Sequence, residues 1–578
     1  MEQIDRPWLK SYDPDVPPTL DYEKIPLFKF LDRAAHKWPK RKAIVFRNWS
    51  ITYAKLKAQS EVFAANLRDA GIRKGDRVAL MLPNLPQTII AFWGVLRAGG
   101  IGVMTNPLYM ETEIIHQFND AGVRFCLTLD LLWPKLEKLR DSIPVERFYI
   151  TTIGEGLKFP LNLLYALQAK KNRTSPRVPY DGMAVRPFKE LTKGNGAFTE
   201  ERVDAEDTAL LQYTGGTTGV AKGCILTHFN IGANMQQCHA MMHTLGKKKE
   251  TFLGILPYFH IYGLTTCLAW PTSLGATLAP FPRYVPLDVL KGIHKLKPTV
   301  FPGAPSLYIS LLQQKDIDKY DLKSIEVCVS GSAPMPVDYM EQFLARSGTA
   351  ITEGYGLTEA SPVTHFNPLV GKSKNGSIGL PFPDTDAKIV DMEVGGEPLP
   401  PGKRGELVIR GPQVMRGYYN RPDATADVLR NGWLYTGDIA TMDEEGYFYI
   451  VDRKKDLIIS GGYNIYPREI DEVLHSHPLI KEAVSVGIPH EARGEIVKAF
   501  VVPHEGATLS RSDVISFCRE KLANFKVPRQ VEFRNDLPKT MVGKVLRRAL
   551  REEEMAKAEA KLKRAAAKKG ADDETGQA

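Results

Sequence analysis

Residues 76–130, DRVALMLPNLPQTIIAFWGVLRAGGIGVMTNPLYMETEIIHQFNDAGVRFCLTLD, decide the fold. Apolar runs of strand length at 77–82, 101–104 and 124–129 are separated by 87–97 and 112–120, where apolar residues recur at helical spacing. In the first helical segment Ile89, Phe92, Trp93 and Leu96 share a face, and Gly99 and Gly100 follow where a helix should stop. Strand, helix, strand, helix, strand is the alternation of a parallel sheet with its crossover helices.

Working outward, a second unit of this type is expected to begin near Thr208, with Leu210 and Leu211 in a strand and Val300, Val327 and Val329 in later ones. Between Gly376 and Ile450 the spacing shortens and Gly and Pro punctuate strands at 405–410 and 447–452, the pattern of a small β-rich subdomain. After Asp452 helix and strand alternate again over 469–475, 482–487, 497–502 and 513–522. The expected fold class is therefore α/β: a large N-terminal domain over 1–452, with two parallel-sheet subdomains at about 20–205 and 206–375 and a β subdomain at 376–452, then a small α+β domain over 453–546 and a tail over 547–578. The charged run from Asp452 to Lys455 marks the principal boundary.

The composition is that of a soluble globular protein, 43% hydrophobic and 25% charged, and a net charge of +9 spread along the chain gives no indication of nucleic-acid binding. The one concentrated basic stretch, 547–569, reads as a solvated, frayed helix ahead of a membrane or polyanion contact. Six isolated cysteines without metal-ligand spacing fit a reducing compartment, and the first residues lack the basic and apolar regions of a signal peptide, so a cytoplasmic location is expected. Residues 251–282 carry no formal charge with His260 neutral, but Pro257, Pro271, Pro280 and Pro282 interrupt any membrane-spanning helix, and the stretch reads as buried core.

The strongest chemical signal is YTGGTTGVAKG at 213–223. Gly215, Gly216 and Gly219 let backbone N–H groups approach phosphate oxygens, Thr214, Thr217 and Thr218 add hydroxyls, and Lys222 supplies a cation. It is not a Walker loop, which needs Lys directly after its last Gly, whereas Val220 and Ala221 intervene here. A P-loop GTPase or motor is thereby excluded.

With this loop, and with further motifs in the expected order over residues 27–548, the chain resembles the adenylate-forming superfamily, which includes acyl-CoA synthetases, luciferases and peptide-synthetase adenylation domains. The resemblance implies that in Gly354, Tyr355, Gly356, Leu357, Thr358 and Glu359 the tyrosine stacks on adenine, Thr358 touches the α-phosphate and Glu359 holds magnesium. It implies that Gly331, Ser332 and Ala333 lie under adenine, that Asp438 accepts both ribose hydroxyls, and that Arg453 contacts ribose or phosphate. Lys455 matches the hinge of a mobile C-terminal domain, Lys544 the lysine of the adenylation step, His260 a position near the acyl group, and Gly461 and Gly462 the pantetheine tunnel. Each residue has a bland reading as a turn, cap or core residue; the order of the motifs weighs against it.

Within the superfamily the resemblance is to the long-chain fatty-acid CoA ligase branch, through the 213–223 loop, PLYMETE at 107–113 and residues 452–467; Arg468 departs from the smaller polar residue expected there. It implies ATP, Mg2+ and coenzyme A as cofactor and co-substrates, and a fatty acid as substrate. Rival readings are a ligase for medium-chain or aryl acids, transfer of acyl-AMP to a carrier protein, and a non-catalytic nucleotide or lipid binder. The segment LKFPLNLLYALQAKKNR, 157–173, reads first as a helix packed into the core, and second as an interfacial helix with Leu163, Leu164 and Leu167 on one face ending in Lys170, Lys171 and Arg173. Peripheral membrane contact and a homodimer stay open.

Overall fold

The computed structural model describes residues 5–172, 174–194, 199–214, 221–461, 463–490, 493–540 and 545–559. Residues 76–130 form strands Arg77–Met81, Ile101–Met104 and Val123–Leu129, alternating with helices Pro86–Arg97 and Glu111–Ala121. The strands pair in parallel, with Val78 opposite Gly102 on one side and Phe125 on the other. Every residue of Pro86–Arg97 is buried, so this helix is enclosed. Its last residue, Arg97, is wholly buried and paired with Asp32, as an enclosed charge must be. Gly99 then takes φ +79°, the left-handed turn that ends the helix.

The chain divides into two compact units, residues 1–387, 409–434 and 445–447 in the first and 388–408, 435–444 and 448–578 in the second. The first unit holds two sheets. One runs Val185–Pro187, Arg147–Thr151, Val123–Leu129, Arg77–Met81, Ile101–Met104, Thr208–Thr214, Lys222–Thr227, parallel except for its last pair. The other has nine strands, with Val300–Gly303 near its centre and Val327–Ser330 and Ile351–Gly356 following in parallel.

The sheets do not follow chain order. Thr208–Thr214, expected to open the second sheet, pairs with Ile101–Met104 in the first, Leu210 opposite Gly102. Lys42–Phe46, from the beginning of the chain, pairs with Thr277–Pro280 in the second. A strand buried on both faces has an apolar sequence whichever parallel sheet it enters, so its sequence fixes burial and leaves its partner open. Residues 251–282 form the strands Thr251–Gly254 and Thr277–Pro280 with the short helical segments Ile261–Leu264, Thr265–Ala269 and Trp270–Ser273 between them. Among the described residues no helix is long and apolar enough to cross a membrane.

In the second unit Gly494–Pro503 pairs antiparallel with Ile480–His490 and parallel with Gln530–Phe533. Helices Pro467–His475 and Arg511–Lys521 send Ile470, Leu474, Val514 and Cys518 into a core with Val497 and Ala499. The start of the tail is more firmly held than its composition suggests. Leu550 packs with Val484, Phe500 and Leu537, and the Lys498 ammonium lies 2.7 Å from both Glu532 and Glu554. All six cysteines are free and buried.

Two buried histidines of the first unit link folding to pH. Burial holds His228 at about 4 and His365 at about 3, below the ordinary value of 6.5. The unfolded chain takes up these protons near pH 6.5 and the folded one does not, so their contribution to stability is intact above about 6.5 and lost as pH falls toward the folded values. The loss approaches about 1.4 kcal/mol per pH unit for each ring. Thermal midpoints of the native protein and of His365→Gln, measured from pH 7.5 to 4.5, should fall less steeply in the variant; parallel slopes would show that His365 titrates in the folded state.

Candidate active site

The sequence singles out Tyr213 to Lys222 first. Strands Thr208–Thr214 and Lys222–Thr227 form an antiparallel hairpin with Tyr213 opposite Gly223 and Thr214 opposite Lys222. Gly215, Gly216, Thr217, Thr218 and Gly219 lie outside the described residues. The side chain of Tyr213 is in the core, where its hydroxyl donates to Asp120 Oδ2 at 2.7 Å and its ring lies 3.0 Å from where a Cβ on Gly223 would stand. Its part is to anchor the hairpin. Asp120 also accepts from Arg421 Nη2 at 2.7 Å, tying the segment after Tyr418 to the same carboxylate.

That segment is a residue set the sequence reading missed. The Ile225 N–H donates to the Gly417 carbonyl at 2.9 Å and the Tyr419 N–H to the Gly223 carbonyl at 2.8 Å, so residues 417–419 run beside the hairpin as an added edge. Tyr418 is thereby brought into contact with two predicted site residues. Its hydroxyl donates to Glu359 Oε1 at 2.8 Å, and the Lys222 ammonium lies 5.2 Å from its ring centroid, within cation–π range. Burial, then the charge of Glu359, raises the Tyr418 phenol far above its usual range, so it stays protonated and donating. The only signal in the sequence was a tyrosine pair after Gly417 in a turn-rich stretch.

Glu359 sits in a short helical turn, Thr358–Ala360, directly after strand Ile351–Gly356. The Met415 N–H donates to its carbonyl at 2.7 Å and the Leu357 N–H donates to the Pro362 carbonyl at 3.0 Å, which fixes the turn at both ends. Gly356 is required by contact: a Cβ there would stand 2.1 Å from the Pro362 carbonyl oxygen. Gly354 faces the Phe366 ring at 2.8 Å in the same sense. The Tyr355 ring, half-buried, meets the neutral His365 ring edge to face at 5.9 Å.

Gly331, Ser332 and Ala333 follow strand Val327–Ser330. Gly331 is buried, with the Tyr262 ring 3.2 Å from where its Cβ would be, while Ser332 and Ala333 are exposed and Ser332 takes φ +73°. Small side chains therefore leave a shelf at the end of this strand. His260 caps the Ile261–Leu264 segment, its Nδ1 accepting the Tyr262 N–H at 3.2 Å, which places the proton of the neutral ring on Nε2.

Among the described residues no group of three His, Cys, Asp or Glu could hold a metal. A lone carboxylate such as Glu359 suits a hard divalent cation that draws its other ligands from phosphate oxygens and water.

In the second unit Asp438 and Arg453 are direct neighbours across the antiparallel pairing, Nε to Oδ1 at 3.3 Å. Glu406 accepts the Gly437 N–H at 3.1 Å and the Lys454 ammonium at 3.0 Å, setting the turn that presents Asp438. Lys455 lies in the helical turn Lys454–Asp456. Gly461 takes φ +58° with its Cβ direction nearly open, 3.8 Å from Arg493 Nη1, so backbone angle and not crowding calls for glycine within this unit. Gly462 and Lys544 lie outside the described residues; Lys539 and Val545 bridge on either side of 541–544.

Arg468 acquires a physical role. Buried Asp452 accepts the N–H groups of Arg453 and Arg468, each at 2.8 Å, and the Arg468 guanidinium reaches back to the Ile450 carbonyl and to Glu472. Burial holds the Asp452 carboxyl above its ordinary value against the pull of Arg547. The segment 450–456 is thus tied to the helix that follows it.

A lysine at the end of a hairpin and a carboxylate, both in contact with one tyrosine, with small residues at a neighbouring strand end, form an arrangement suited to an enzyme that handles a nucleotide. The chain belongs to the AMP-binding enzyme family: that family matches residues 31–419, and the AMP-binding enzyme C-terminal domain matches 469–544. It is 48% identical over 556 residues to a long-chain-fatty-acid–CoA ligase of Bacillus subtilis strain 168, covering 96% of this chain and 99% of the relative. It is 40% identical over 562 residues to an Escherichia coli O6:H1 protein of the same name, with 96% and 99% covered. Among solved structures it is similar to ATP-bound MatB from Rhodopseudomonas palustris, at 28% identity and TM-score 0.78 over 91% of this chain and 98% of the other. The anthranilate CoA ligase AuaEII in complex with anthranoyl-AMP gives 25% identity and TM-score 0.80 over 93% and 99%.

Tyr418→Phe keeps the ring under Lys222 and removes the bond to Glu359. A hydrogen bond to a charged group contributes about 1.5–3 kcal/mol to stability, so the thermal midpoint should fall, and the magnesium concentration giving half-maximal rate should rise if Glu359 loses its set position. An unchanged magnesium dependence would mean that Tyr418 does not set the position of Glu359.

Proposed function

We propose that the chain activates a long-chain fatty acid: the carboxylate attacks the α-phosphorus of ATP, releasing diphosphate and leaving acyl-AMP, and the coenzyme A thiolate then attacks the acyl carbonyl and expels AMP. The observation that supports this reading is the contact of both Lys222 and Glu359 with Tyr418, a cation for phosphate and a carboxylate for magnesium, in a chain that matches a fatty-acid CoA ligase over 96% of its length.

In this reading the 213–223 hairpin and Lys222 bind the triphosphate, Thr358 orients the α-phosphate, Glu359 holds magnesium, and Tyr355 with Gly331–Ala333 encloses adenine. Asp438 and Arg453 take the ribose, His260 lies by the acyl group, and Gly461 and Gly462 line the pantetheine path. Magnesium, when bound, neutralises phosphate charge. Lys544 bridges the two anionic reactants as negative charge grows on the phosphoryl oxygens, and Lys455 is the pivot between the two steps. The acid is met at a membrane, to which the enzyme binds peripherally.

Removing one well-placed donor to a developing oxyanion costs about 100 to 1,000-fold in rate. Lys544→Ala should lose acyl-AMP formation by that factor yet convert supplied acyl-AMP to acyl-CoA normally, and Lys455→Pro should do the reverse. Equal loss of both half-reactions in either variant would overturn that residue's role. AMP release measured with acids from acetate to oleate should depend on coenzyme A and be greatest with long chains; ADP as product would refute the reading as a whole.

A further inference from the structure

The residues after Gly156 contradict the packed-core expectation. Helix Leu161–Lys171 is held against the first unit by a narrow inner face, where Ala169 is buried and the Tyr165 ring lies 3.1 Å from the Cβ direction of Gly154. Its N-terminal side is fastened, since Lys158 exchanges two bonds with the Asn48 side chain, at 3.0 and 3.2 Å, and its C-terminal turn is closed by the Thr174 N–H donating to the Ala169 carbonyl at 2.9 Å. At 100° per residue, Leu163, Leu164 and Leu167 fall opposite Tyr165 and Ala169. They are 52%, 55% and 57% exposed, and Phe159, just before the helix, is 76% exposed. Isolated surface leucines are ordinary, but a fastened helix that turns three leucines outward beside an exposed phenylalanine is a surface shaped for an apolar partner.

Charge identifies the partner. From Lys158 to Lys171 there is no acidic residue, and the exposed Lys158, Lys170 and Lys171 flank the leucines. Two copies of this helix packed about a two-fold axis would set lysines near lysines with no carboxylate in the segment to offset them, which disfavours self-association. An apolar ridge edged by cations complements a bilayer bearing anionic headgroups, where leucines enter the acyl boundary and lysines stay at the phosphates.

We infer that the outer face of Leu161–Lys171, with Phe159 and Lys158, is the surface by which this enzyme docks on anionic phospholipid membranes. The inference deepens the proposed function by naming the surface at which a sparingly soluble fatty acid is collected, and it rests on that reading for its purpose alone.

The test is flotation of the full-length protein with vesicles of phosphatidylcholine alone and of phosphatidylcholine with phosphatidylglycerol. The native protein should float with the anionic vesicles, and salt should release it. Lys158→Gln/Lys170→Gln/Lys171→Gln should bind about fivefold more weakly per lysine removed. Leu163→Ser/Leu164→Ser/Leu167→Ser should bind at least about tenfold more weakly at an unchanged thermal midpoint. Turnover of oleate embedded in vesicles should fall in both variants, and turnover of soluble octanoate should not.

Failure of the native protein to float, or equal flotation of the leucine variant, would overturn the docking surface. So would a native dimer in sedimentation that the leucine substitutions dissociate without any change in flotation. Absence of AMP release with every acid would overturn the proposed function and leave the flotation result standing.

Discussion

The hydrogen bond from Tyr418 to Glu359 joins parts of the chain that neither helical nor strand periodicity connects. Glu359 follows a strand of the nine-stranded sheet, Lys222 begins the last strand of the seven-stranded one, and Tyr418 belongs to a segment added to that strand's edge. Glu359 and Lys222 thus approach one ring from different sheets. The interleaving of the sheets makes this possible, because strands Thr208–Thr214 and Lys222–Thr227 complete the first sheet beside Ile101–Met104, a strand far earlier in the chain. Ligands of open parallel sheets gather at such strand ends, where helices and loops leave a crevice.

Legibility in the sequence followed the kind of force involved. The elements of 76–130 were readable within a residue or two because burial and helix termination are local: Ile89, Phe92, Trp93 and Leu96 mark an enclosed helix, and Gly99 stops it. The sheet membership of Thr208–Thr214 was not readable, since Leu210 and Leu211 would be equally at home in either sheet. Lys222, Glu359, Asp438 and Arg453 stood out as members of ordered motifs, whereas Tyr418 and Glu406 act through contacts made only after folding. Leu163, Leu164 and Leu167 were misjudged for a related reason: helical spacing shows that they share a face and does not say whether anything covers it.

The second unit shows how a departure from a motif can be absorbed. Arg468 brings a long charged side chain to a position expected to be small, and the fold uses both of its ends, the backbone N–H on Asp452 and the guanidinium on Ile450 and Glu472. Asp452 could not remain buried without such donors, because an enclosed carboxyl lacking them would be driven to protonate. The guanidinium therefore ties helix Pro467–His475 to the strand that ends at Arg453, while the backbone N–H serves Asp452 as any residue but proline could.

Charge pairing also separates scaffold from site in the first unit. Buried Arg97 is matched by Asp32, and Asp120 by Arg421, so these charges are spent within the fold. Lys222 and Glu359 are treated differently. Among the described residues Lys222 pairs with no carboxylate; its ammonium lies over an aromatic face, a weaker contact than an ion pair. Glu359 Oε1 accepts from the phenol, a donor that brings no formal charge. Tyr418 touches both, its hydroxyl on Glu359 and its ring face toward Lys222. A cation on a ring face and a carboxylate on a neutral donor are thus each satisfied by a contact that is not an ion pair.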